Sequence, residues 1–105
     1  MRYFKRHWNE NRGDQYADWG NATYFFEVTD GGDPKRQMEV YANGKVLQYD
    51  HEHAADSFGM LADQALNMEE FADFEIAASE FEQAWGCQRP HNRRTSLFGR
   101  QYSPS

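Results

Sequence analysis

The chain has 105 residues and a formal charge of −6, and Leu, Ile, Val and Phe supply only 16 of its side chains, a composition bordering on that of disordered chains. Eight Phe, six Tyr and three Trp reverse that reading, because each ring buries about 150–250 Å² and an aromatic core is expected. The length excludes a second domain, the single cysteine Cys87 excludes an internal disulfide and a cysteine-based zinc site, and no apolar run approaches the roughly 18 residues of a membrane span.

Arg2 to Trp8 sets Tyr3, Lys5 and His7 against Phe4, Arg6 and Trp8, the period-two pattern of a strand with two different faces. Asn9 to Asn21 has no apolar period and reads as a long loop whose Tyr16 and Trp19 fold back over the sheet. Ala22 to Thr29 is rich in branched and ring side chains, which suit a pleated surface. Asp30-Gly31-Gly32-Asp33-Pro34 reverses the chain, Arg36 to Ala42 forms the next strand, and Asn43-Gly44 predicts a type I′ hairpin turn into Lys45 to Tyr49.

Residues 51–72 show no sustained alternation and read as a short helix or an irregular crossover. Phe74-Glu75-Ile76 predicts a short edge strand, and Ser79-Glu80-Phe81-Glu82 has the form of a capping box opening a helix of about two turns, with Phe81 and Trp85 on one face and Gly86 as its stop. The expected fold class is α+β: an antiparallel meander of four or five strands packed by a short C-terminal helix. Its expected core is Phe4 or Tyr3, Trp8, Phe26, Val28, Val40, Leu47, Phe74, Ile76, Phe81 and Trp85.

Charge divides the chain. Residues 1–87 hold all 17 carboxylates against seven Lys or Arg, whereas 88–105 hold Arg89, Arg93, Arg94 and Arg100 and no acid. We therefore expect one domain over 1–87 and a flexible basic tail over 88–105. The lone cysteine, and an N-terminus without a signal peptide's apolar run, lead to the expectation of a soluble cytoplasmic protein.

The opening Met1-Arg2-Tyr3-Phe4-Lys5-Arg6-His7-Trp8-Asn9-Glu10, then Asp18-Trp19-Gly20, Phe26-Glu27-Val28, Arg36-Gln37, Glu39-Val40-Tyr41, Asn43-Gly44 and Tyr49-Asp50, resembles a family of small uncharacterised bacterial domains, often actinobacterial. The likeness runs through His53, Asp56 and Gly59 to Phe74-Glu75-Ile76, Glu80-Phe81 and Trp85, spanning residues 1–86. It implies a compact sheet-plus-helix domain and carries over no catalytic residue.

Four constellations bear on function. His51 and His53 with Asp56 offer imidazoles and a carboxylate of the kinds that bind zinc or iron, against the plainer reading of a polar loop in which His53 or Asp56 bonds the backbone. The many carboxylates and four histidines allow acid–base pairs, but no nucleophile motif or phosphate loop accompanies them. The basic residues of the first strand, interleaved with rings, have the chemistry of single-strand nucleic-acid binding; the acidic body opposes it, leaving the Arg tail as the segment where it remains open.

Finally, ten carboxylates and no Lys or Arg lie between Asp50 and Glu82. A field of one sign speeds association with a basic partner, as it does for immunity proteins and phage anti-defence inhibitors, although net charge also serves solubility. The expectation is a non-enzymatic protein-binding module without cofactor, contacting a basic partner through Asp56, Asp63, Glu69, Glu70, Asp73 and Glu80. The alternative is a metal-dependent enzyme or small-ligand binder centred on His51, His53 and Asp56.

Overall fold

The structure is a computed structural model that describes residues 1–92. Strands β1 (Arg2–Trp8), β2 (Ala22–Val28), β3 (Pro34–Tyr41) and β4 (Val46–Tyr49) follow one another as an antiparallel meander. Chain order is spatial order, because each connection is a short reversal or a loop that returns to the same edge. Beyond them come a two-stranded hairpin, β5 (Ala55–Asp56) and β6 (Gly59–Met60), a single-turn helix α1 (Met68–Phe71), a two-residue strand β7 (Glu75–Ile76) and helix α2 (Ala78–Cys87). β7 pairs with β1 through Tyr3 and Ile76, which closes a five-strand sheet in the order β4-β3-β2-β1-β7. The α+β architecture expected from the sequence is thus the one observed.

Two local expectations are corrected. The β3–β4 hairpin is not a two-residue type I′ turn: Gly44 N–H donates to Tyr41 O and Tyr41 N–H to the Lys45 carbonyl. Ala42 and Asn43 are therefore the central pair, and Gly44, at φ 92°, is the third loop residue, the one that needs the left-handed conformation. The capping box at Ser79 does not form either. Ala77 is the residue before the helix, its carbonyl accepts from the Glu80 and Phe81 amides, and no side chain caps it. Glu82, expected to reach back to Ser79, is instead held by Arg36 across the sheet. The helix runs through Gly86 to Cys87, three turns and not two.

The sheet is covered on both faces. Helix α2 lies on one, its Phe81 packed with Phe25, Met38 and Val46. On the other face the long loop brings Trp19 down onto Ala22, Tyr41, Leu47 and Tyr49, with Leu61 beside them, and farther along Phe71 closes over Phe4, Phe26 and Val28. Double coverage explains the differences in the core. Phe4, Phe26, Val28, Leu47 and Phe81 are buried as expected, but so are Phe25, Met38, Val46, Tyr41, Tyr49, Leu61 and Phe71, while Trp8, Val40, Phe74, Ile76 and Trp85 are only partly covered.

The loop is pinned at Gly20, whose φ of 87° and proximity to Ala42 leave no room for a side chain: a Cβ there would stand 2.7 Å from the Ala42 Cβ. After α2 the chain crosses the open edge of β4. His91 N–H donates to Val46 O, and the Asn92 carboxamide bonds both Gln48 N–H and Gln48 O, standing in for a neighbouring strand. Residues 91 and 92 thus belong to the body and not to a tail beginning at 88; the remainder of the expected tail, 93–105, lies outside the described residues. No helix among the described residues is long and apolar enough to cross a membrane.

Candidate functional site

The acidic segment and the basic first strand were read separately in the sequence, and the structure joins them. Arg2 of β1 makes two hydrogen bonds to Glu75 at 2.9 and 3.1 Å, Arg6 binds Glu70 at 2.7 Å, and Lys5 lies 3.6 Å from Glu80. Pairing in β1 forces this, since the strand on its outer side, β7, and the helices flanking it all come from the acidic stretch. Glu70 and Glu80, expected to face a partner, are thus ion-paired with the chain's own cations. Asp63, Glu69 and Asp73 are exposed and form no ion pair among the described residues.

Asp56 is also an internal residue. Its Oδ1 accepts the Tyr49 hydroxyl at 2.9 Å and the amides of Phe58 and Gly59 at 2.8 and 3.2 Å. Oδ2 accepts His53 Nε2–H at 2.7 Å and the Asn92 side chain at 2.9 Å. Partial burial works to raise this carboxyl, but the hydrogen bonds from His53, Asn92, Phe58 and Tyr49 outweigh it and hold it down at about 2. His51 is exposed at the turn, and among the described residues no group of three or more His, Cys, Asp or Glu side chains is gathered for a metal ion. The arrangement is a structural clasp joining β4, the β5–β6 hairpin and the segment after α2.

A second buried carboxylate was not singled out in the sequence. Glu39 of β3 is 5% exposed, accepts the Tyr41 hydroxyl on one oxygen and Gln37 Nε2–H on the other at 2.7 Å, and stands opposite Tyr24 in register. Gln37 cannot turn its amide, because its Oε1 accepts the Ala62 amide and its Nε2 also donates to Met60 O. Burial raises the Glu39 carboxyl above its usual range, and the bonds from Tyr41 and Gln37 oppose that shift. Burial, reinforced by the charge of Glu39, raises the Tyr41 hydroxyl in turn, so it stays a donor.

Replacing Glu39 by Ala strands the Tyr41 hydroxyl and one Gln37 hydrogen in a buried space, and a loss of about 2–4 kcal/mol is expected in urea unfolding. Glu39→Gln, which keeps one acceptor oxygen, is expected to lose about 1 kcal/mol.

Above Tyr24 and Tyr41 lies a cleft of about 350 Å³, bounded by Trp8, Glu10, Asn11, Arg12, Ala22, Tyr24, Phe26 and Tyr41. It exists because two separate pieces of chain cover this face of the sheet and do not meet: Tyr24 packs against both the Trp19 cluster and the Phe71 cluster. Arg12, on its rim, bonds Asp14 through Nε and Nη2 and also donates to the Tyr41 hydroxyl and the Phe58 carbonyl. Neither Glu39 nor the cleft has a signal in the sequence, because both arise where separate segments of chain cover the same face of the sheet.

No family model, curated protein or solved structure matches the chain, so the resemblance of residues 1–86 to small bacterial domains rests on their short motifs alone.

Proposed function

We propose that the chain is a non-enzymatic protein-binding module that engages a basic partner, in the manner of immunity proteins or phage anti-defence inhibitors. The observation that supports this reading is the fate of the charges. Arg2, Lys5, Arg6, Arg12 and Arg36 are each occupied by a carboxylate of the same chain, while Asp63, Glu69 and Asp73 remain exposed without an ion pair among the described residues. Residues 61–74 contain no Lys or Arg, and Arg6, which lies over Phe71 and Phe74, is neutralised by Glu70, so the surface a partner meets there is net acidic, which favours fast, salt-sensitive association with a positively charged face. The contact surface read in the sequence narrows to Asp63, Glu69 and Asp73, because Asp56, Glu70 and Glu80 are already engaged.

Affinity capture from host lysate at about 50 mM and about 500 mM salt tests it, since exposed charges are screened over that range. A basic protein is expected at low salt and depleted at high salt. The triple variant Asp63→Lys, Glu69→Lys, Asp73→Lys is expected to lose it with little change in thermal stability. Recovery of no basic protein, or equal recovery with the triple variant, counts against the proposal.

A further inference from the structure

We infer that the cleft over Tyr24 and Tyr41 is a receptor for a guanidinium or alkylammonium side chain, and that an arginine of the basic partner is its occupant. The inference rests on the partner reading for the source of that side chain, but its chemistry comes from the cleft itself. The apolar walls and floor are Trp8, Tyr24, Phe26 and Tyr41. Ring faces attract cations through their quadrupoles, with Trp the strongest, and the planar guanidinium stacks best of the protein cations.

Charge decides between a cationic and an anionic occupant. Among the lining residues the charged groups are Glu10 and Arg12. Both Arg12 bonds to Asp14, at 3.0 and 2.7 Å, go to a single carboxylate oxygen, so its charge is balanced within the rim. Glu10 is exposed and forms no ion pair among the described residues. Behind the floor sits Glu39, bonded to the Tyr41 hydroxyl, and a phenol donating to a carboxylate has a more electron-rich ring. The balance around the cleft is thus negative, matching the acidic surface nearby: Trp8 packs on Phe71, and Arg6 lies over the Trp8 ring while bonding Glu70.

The same protein already shows this chemistry repeatedly. Arg6 lies 4.8 Å from the Trp8 ring centre, Arg36 4.8 Å from Phe81, and Arg12 5.0 Å from Tyr16, each closed by a carboxylate. In the cleft Arg6 already lies over the Trp8 ring and Arg12 lies 5.9 Å from the Tyr41 ring centre, so the lining rings left without a cation among the described residues are Tyr24 and Phe26, and with the carboxylate of Glu10 they are what the cleft offers an incoming arginine.

The test follows the indole N–H signals of the three tryptophans by NMR while the full chain is titrated with N-acetyl-arginine amide or with its neutral isostere, N-acetyl-citrulline amide. The Trp8 signal is expected to shift saturably with the arginine probe, with a Kd in the millimolar range, and much less with citrulline. Trp85, on the opposite face, stays unmoved. Tyr24→Leu is expected to weaken binding about tenfold and Glu10→Gln about threefold, with the Trp19 and Trp85 signals reporting an intact fold. An equal response to citrulline, no saturable Trp8 shift, or unchanged binding in Glu10→Gln overturns the inference. Capture of a basic protein with a silent Trp8 removes the cleft alone; a responsive Trp8 without any captured basic protein removes the partner reading and leaves the cleft.

Discussion

Asp56→Ala is expected to destabilise the domain by about 3–4 kcal/mol in urea unfolding, because it strands several donors at once in a partly buried place. The Tyr49 hydroxyl, His53 Nε2, the Asn92 carboxamide and the amides of Phe58 and Gly59 all converge on this one carboxylate. Asp56→Asn separates the two oxygens. An Asn can keep the Oδ1 bonds to Tyr49, Phe58 and Gly59 but turns an NH2 toward Asn92, so a cost of about 1–2 kcal/mol is expected. That cost should overlap with Asn92→Ala, the double variant falling short of the sum by at least about 0.5 kcal/mol. Strict additivity would mean that the Asn92 bond contributes nothing, and a loss below about 1 kcal/mol for Asp56→Ala would mean that the clasp does not hold the hairpin.

The pH dependence has a definite sign. The folded Asp56 carboxyl, at about 2 against an ordinary 3.8, binds a proton less readily than in the unfolded chain. Its stabilisation is therefore complete above about pH 4 and disappears as pH falls through about 2, amounting to about 2 kcal/mol. Glu39 acts oppositely: its carboxyl is raised, so its ionisation removes stability as pH rises past the ordinary carboxylate range. Acid titration of the unfolding free energy should show a decline below about pH 4 that Asp56→Asn flattens.

What the sequence made legible was local. Alternation along Arg2–Trp8 gave that strand its bounds, Gly and Pro gave the reversals, and the four-residue spacing of Phe81 and Trp85 gave a shared helix face, where the rings stack at 5.8 Å. The hidden features depend on distant partners. Phe25-Phe26 was the one available sign of double coverage, since adjacent residues of a strand point to opposite faces and both of these are buried. Glu39 carries no sign of burial in the sequence, because its partners Gln37 and Tyr41, two positions to either side on the same face of β3, enclose it only once that face is covered. The ion pairs that absorb the basic strand join residues 64 and 73 positions apart, beyond any periodicity. Ser79 had the right neighbours for a cap, but Arg36 competes for Glu82 with a guanidinium, and an ion pair backed by stacking on Phe81 and Trp85 outweighs a single amide bond.

Phe81→Ala should have the largest effect of any single substitution on the helix face, about 3–5 kcal/mol. Its ring is fully buried, 5.3 Å from Tyr3 and stacked on Trp85, with Phe25, Met38 and Val46 below it and Arg36 above. Helix α2 spans ten residues, too few to persist in water without packing, and its N-terminus lacks a side-chain cap. Phe81 is therefore what keeps the helix folded as well as what seals the sheet. Removing it is expected to open 78–87 before the rest of the domain, so these amides should lose hydrogen-exchange protection while those of β2 and β3 keep more of theirs. The uncovered face should bind a hydrophobic dye, because Phe25, Met38 and Val46 lose their cover together. Phe81→Leu, which keeps most of the volume, is expected to cost about 1–1.5 kcal/mol, and Trp85→Ala, at the partly exposed end of the stack, less than Phe81→Ala. If protection in β2 and β3 falls in step with that of α2, the helix and sheet unfold as one unit, and α2 is then an integral part of the core and not a separable cover.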